Sequence, residues 1–199
     1  MTELVNKSIN IVSVDTIDTN TGMVVDTWQG TNRLVLRHHT VLTHLLSPVG
    51  DANLQTQLSS EEFTKIGIPT SEDLKLTKMR FGTGTAETDI SMSGIVSVVE
   101  PNFNADGSTI TDGQDWYDID QYTFKEGASI NDVRDFGQAL EMQTTMAGPQ
   151  GNSLTNDPVV YSEAGLYTAN DILFARVNLP SLTKTSSFAF RFSWAVRFP

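Results

Sequence analysis

Three histidines, His38, His39 and His44, crowd into one short stretch of the chain. Imidazoles that close together raise the question of a metal site, because neutral imidazole is the commonest metal ligand among side chains. His39 and His44 are five positions apart, a spacing that does not share one face of a helix, and no HExxH pattern is present. The expectation is packing or surface placement and no metal. FGTGTAETD offers glycines of the kind that cradle a phosphate, but it lacks the GK[ST] of a P-loop, and Glu87 stands at the third glycine position of GxGxxG. Gly82 and Gly84 read better as a hairpin turn. Asp106, Asp112, Asp115, Asp118 and Asp120 supply carboxylates for calcium without the D-x-[DN]-x-[DN]-G spacing of an EF-hand, so a solvated loop is expected. Glu141 and Glu163 would form a hydrolytic carboxylate pair only at a particular separation, which sequence spacing does not supply. No serine lies in GxSxG, and there is no cysteine. The residues therefore predict no catalytic, cofactor-binding or metal-ligating set, no cofactor and no enzyme.

The elements that would position these residues read mostly as strands. In the last segment Phe188, Phe190, Phe192, Trp194, Val196 and Phe198 alternate with Ala189, Arg191, Ser193, Ala195 and Arg197. A period of two is a strand with one dry face, so these aromatics are expected in a core rather than on a sugar-binding platform. Near the start, SINIVSV and MVVDTWQ flank the turn residues DTNTG and predict a hairpin. LKLTKMRF, the Val- and Ile-rich DISMSGIVSVVE, WYDIDQYTF and QALEMQTTM read as further strands. VVYSEAGLY and DILFARVNL predict a strand pair around a turn at Ala169 and Asn170, and PSLTKTSS then connects to the final strand. HHTVLTHLLSPVG is the one helix, with Val41, Leu42, Leu45 and Leu46 at helical spacing and Pro48 and Gly50 ending it. Residues 51–73, 101–115 and 147–158 read as long loops. The fold expected is mainly β, an antiparallel β-sandwich or jelly-roll-like arrangement with one short helix and long loops. Residues 1–32 are expected as N-terminal strands or an arm and 33–199 as the sandwich, together one compact domain.

Composition narrows the partners. With 199 residues, 39% hydrophobic and 19% charged, the chain suits a packed core. Its formal net charge of -11 repels phosphate, so neither nucleic acid nor an anionic membrane is an expected partner. MTELVNKSINIVSV has no long apolar run and does not read as a signal peptide, and no later stretch reaches transmembrane length.

RLVLRHHTVLTHLL, then MRFGTGTAETD, then SEAGLYTANDILFARVNLPSLTKTSSFAFRFSWAVRF follow one another in that order. This succession resembles a group of tailed-bacteriophage virion proteins across about residues 33–198. The segments that carry it are 79–84, 162–166, 173–176, Lys184 with Thr185, and 194–198. The resemblance implies a non-enzymatic structural component of a tailed phage particle, made in the host cytoplasm and located in the virion. It would assemble as a symmetric homo-oligomer on the tail, neck or baseplate, with itself and other virion structural proteins as partners. The long loops would carry the inter-subunit contacts. A head decoration protein differs from this in address, and a carbohydrate-binding host-attachment module using Trp116, Tyr117 and Tyr122 differs in chemistry. Two local expectations accompany it. Gly165 would adopt a positive φ at a tight corner. Glu163 would accept backbone N–H bonds or pair with Arg176, whose neighbours in LFAR are apolar.

Overall fold

The structure is a computed structural model that describes residues 11–31, 33–34, 75–85, 94–125, 138–155 and 157–198. The expected helix, the three histidines and the loop at 51–73 lie outside the described residues. Among the described residues ten strands follow in chain order: β1 (Ile11–Asp18), β2 (Val24–Thr31), β3 (Arg33–Leu34), β4 (Leu76–Gly82), β5 (Tyr117–Asp118), β6 (Gln121–Lys125), β7 (Gln138–Met146), β8 (Val159–Thr168), β9 (Leu173–Lys184) and β10 (Phe188–Phe198). These strands form two antiparallel sheets, one with the order β2-β1-β10-β7-β6 and one carrying β3-β9-β8-β4. The chain thus has the mainly β, two-sheet antiparallel class of β-sandwiches that the sequence predicts. It divides into two compact units, residues 1–32, 100–160 and 182–199 in the first and 33–99 with 161–181 in the second.

In the first unit, β10 runs antiparallel between β1 and β7, with Trp194 opposite both Val12 and Met142, and Phe192 opposite Val14 and Thr144. Val12, Val14, Met142, Phe190, Phe192, Trp194 and Val196 are all buried, as the alternation in the sequence predicts. Burying each large apolar side chain contributes about 1.5–3 kcal/mol, which makes this row the main stabiliser of the sheet. Phe190 and Phe192 also meet edge to face, their centroids 6.1 Å apart. The intervening Arg191 faces outward and pairs with Asp15 of β1. The β1–β2 hairpin forms where DTNTG predicts it. Asp18 accepts from the amides of Asn20 and Thr21 (2.9 and 2.8 Å), and Gly22 takes φ +69°.

In the second unit, β8 is buried from Tyr161 through Thr168 and β9 from Leu173 through Val177. Both faces of these strands are dry over those residues, so in β9 Phe174 and Arg176 are buried along with the alternating row Leu173, Ala175 and Val177. Phe81 of β4 and Tyr161 of β8 pack edge to face at 6.3 Å. The β8–β9 turn falls where expected. Thr168 and Ile172 close it with a 3.0 Å amide-to-carbonyl bond, and Asp171 adopts φ +62°.

Four local expectations are corrected. Residues 94–100, expected as a strand, form only an isolated bridge between Gly82 and Val98. The amides of Val96 and Ser97 are drawn to a buried carboxylate, while Val99 keeps a bond to the Phe81 carbonyl beside the bridge. WYDIDQYTF is broken into β5 and β6 rather than running as one strand. The connection expected at PSLTKTSS shrinks, because β9 continues through Lys184. Gly165 sits inside β8 opposite Arg80, not at a corner, and has no positive φ. It is there for space: a Cβ would lie 2.7–3.1 Å from side-chain atoms of Tyr167, Ile95 and Leu173.

Candidate functional site

The densest polar arrangement in the second unit is built around Glu163. β8 carries Glu163 and β9 carries Arg176, both fully buried. Arg176 donates from Nε and Nη2 to Glu163 Oε2 at 3.0 and 2.6 Å. The other carboxylate oxygen, Oε1, accepts from the amides of Gly84, Val96 and Ser97 at 3.0, 3.0 and 2.9 Å. Ser162 Oγ donates to the Gly84 carbonyl at 2.8 Å. Side chains at Gly82 or Gly84 would collide with the Ser97 carbonyl or with Glu163 itself, so the FGTG glycines allow close backbone approach rather than phosphate binding. Burial alone would raise the Glu163 pKa, but the Ser97 amide, Arg176 and the Val96 amide outweigh it and hold the group below the usual carboxylate range. A carboxylate so engaged stays ionised and has no free lone pair for proton transfer. It clamps the backbone at Gly84, Val96 and Ser97 onto β8 and, through Arg176, onto β9.

Tyr167 extends this clamp. Its hydroxyl accepts from the Ile95 amide at 2.9 Å, and the Arg80 guanidinium lies 4.6 Å from its ring centroid. Arg80 and Lys78 both reach Asp171 at the β8–β9 turn, at 3.0 and 2.9 Å.

The first unit holds a second polar centre that the sequence does not announce. Lys184, at the end of β9, is fully buried. Its ammonium donates to the carbonyls of Gly148 and Thr185 at 2.7 and 2.9 Å and to Asn152 Oδ1 at 3.5 Å. Burial pushes its pKa down to about 8. Asn152 in turn donates to the carbonyls of Gly148 and Pro149, while its own carbonyl accepts from Asn102 at 2.9 Å. The Gly151 amide donates to the Pro101 carbonyl at 2.8 Å. The two long loops at 101–115 and 147–158 are thereby bonded to each other. In sequence Lys184 with Thr185 is one of the segments that carry the resemblance, but the threonines and serines around it suggest a connection, not a core.

The remaining candidates are scattered. Glu141 is half-buried on β7, in the other unit from Glu163, with Gln143 donating to it at 3.3 Å. Asp106 accepts from Ser108 and Asp120 from the Thr145 amide, while Asp112 accepts from the Gln114 amide. Among the described residues no three acids or histidines are grouped to hold a metal. No helix among them is long and apolar enough to cross a membrane. Of the aromatics considered for sugar binding, Tyr117 is buried and Trp116 half-buried, while Tyr122 is 49% exposed and Phe124 on the same strand 58%.

Comparison of the chain with protein-family models, with curated proteins and with solved structures finds no match.

Proposed function

We propose that this chain is a non-enzymatic structural component of a tailed phage particle. It assembles as a symmetric homo-oligomer on the tail, neck or baseplate and contacts other virion structural proteins. The observation that carries this reading is the Glu163 clamp. Segments 79–84, 162–166 and 173–176, three of those on which the phage resemblance rests, belong to its unit, and Gly84, Ser162, Glu163 and Arg176 are bonded within it. The polar groups that stand out in this chain are engaged in holding backbone, which suits a protein selected for rigidity. The test is direct. Purified particles are analysed for the chain by mass spectrometry, and a density map of the intact particle is searched for repeated copies. Absence from purified particles would sink the reading.

A glycan-binding role is favoured by one observation, the exposed pair Tyr122 and Phe124 on β6. Two aromatic faces of that kind can stack on sugar rings. A glycan array with the wild type and with Tyr122→Ala separates the two. Binding lost in the variant supports attachment, and no binding by the wild type removes it.

A further inference from the structure

The first sheet ends at β2, and among the described residues no strand lies beyond it. Open edges present unpaired N–H and C=O groups, and natural proteins block them with lysine, proline or bulges. β2, VVDTWQGT, has no lysine or proline and one charged residue, Asp26, whose carboxylate accepts from the Thr27 amide at 2.9 Å and must release it to a pairing strand. Its single irregularity is near its start: the register passes from Thr16 opposite Asp26 to Ile17 opposite Val24, leaving Val25 as the extra residue. Residues 26–31 then pair regularly with β1. Met23, Val24 and Val25 are 69, 48 and 56% exposed. The opposite edge, β6, is shorter at five residues and ends in Lys125.

A chain with net charge -11 repels its own copies, so a contact between copies needs a stretch poor in acids. β2 is such a stretch, and its sequence is self-complementary. A two-fold axis through Trp28 sets Trp28 opposite its own copy, Thr27 opposite Gln29, Asp26 opposite Gly30 and Val25 opposite Thr31. No carboxylate faces another, and the central pair is aromatic, a favourable cross-strand combination. The Trp28 ring already lies across Gly30 of its own strand, where a side chain would collide with it. We infer that β2 is a subunit contact, pairing antiparallel with β2 of a second copy to join two five-stranded sheets into one. The inference rests on the homo-oligomer reading above and names the surface it uses.

The chain has no cysteine, so introduced thiols report without background. Chains carrying Thr27→Cys are mixed with chains carrying Gln29→Cys under mild oxidation at raised ionic strength. A disulfide-linked dimer that forms in the mixture and not in either chain alone is expected. Sedimentation of uncrosslinked protein supplies the second measurement. The double substitution Thr27→Lys with Gln29→Lys, which sets like charges opposite each other, should weaken association about tenfold or more. Thr27→Lys with Gln29→Glu, which sets opposite charges together, should restore it. A wild type that associates without the 27-to-29 disulfide, or a double-lysine variant that associates as the wild type does, overturns the β2 contact and leaves the homo-oligomer standing. A wild type that is monomeric at every concentration and salt level overturns both.

Discussion

Glu163 and Lys184 are both buried ionisable groups, and they respond to pH in opposite directions. Glu163 has a folded pKa below its ordinary 4.5. It therefore contributes stability that is present above about pH 4.5 and is lost as pH falls through the lower folded value. Glu163→Gln removes that acid-side loss and also leaves Arg176 buried without its counter-charge. Breaking a buried pair from one side costs roughly 3–5 kcal/mol. Urea denaturation at neutral pH should show a loss of that size, and Glu163→Leu with Arg176→Met should cost less than the sum of the two single changes. Additive losses would mean that the pair is not coupled. Lys184 has a folded pKa of about 8 against 10.5 in the unfolded chain. Between those values the unfolded state binds more protons, so the Lys184 contribution rises with pH across that window. Denaturation at pH 7.5, 9 and 10 should show this rise in the wild type relative to Lys184→Met. Parallel curves for the two proteins would contradict burial as the cause of the shift.

At the scale of the element, β10 and β8 show the two ways a strand is stabilised. β10 buries one face, so its two sides should differ sharply on mutation. Trp194→Ala should cost about 3–5 kcal/mol, as large aromatic truncations in cores do. Arg191→Ala removes a partly exposed ion pair with Asp15 and should cost about 0–1 kcal/mol. Equal small losses would show that the Trp194 face is not the core. β8 buries both faces, and Gly165 tests how tightly. Gly165→Ala places a methyl against Tyr167, Ile95 and Leu173 and should cost about 1–3 kcal/mol by overpacking. Pairing it with Leu173→Val opens space on that side and should recover part of the loss. A neutral Gly165→Ala would mean that the neighbours yield freely.

For the whole molecule the governing quantity is charge. A net charge of -11 opposes the approach of like subunits, and added salt shortens the range of that repulsion to about 8 Å at physiological ionic strength. A dilute solution should therefore hold monomer or a weak oligomer, with association strengthening as salt rises. Light scattering across a salt series measures this. Association that weakens with salt would instead point to contacts made by opposite charges. A working subunit interface buries on the order of 1,200–2,000 Å², more than one edge strand supplies. Further contacts beyond β2 are thus expected in the assembled state.

The β class, the β1–β2 hairpin, β7, the β8–β9 turn and the buried face of β10 are legible in the sequence. Each of these is written in local terms, as an alternation of period two or as turn residues with their own geometry. The sequence also offered Glu163 and Arg176 as a pair, because the neighbours of Arg176 in LFAR are apolar, with two solvated charges as the alternative, and burial of both strands selects the pair. Tertiary structure alone decided the rest. Valines and isoleucine at 95–99 have strand propensity, yet a distant carboxylate takes the amides of Val96 and Ser97, and the segment forms a clamp instead of a ladder. Gly165 could be a turn residue or a space-maker, and only the side chains packed around it select the second. Lys184 reads as part of a connection until the loop at 147–152 brings its carbonyl and amide oxygens around the ammonium. Burial of a polar group depends on which remote segment closes over it, and no short stretch of sequence carries that information.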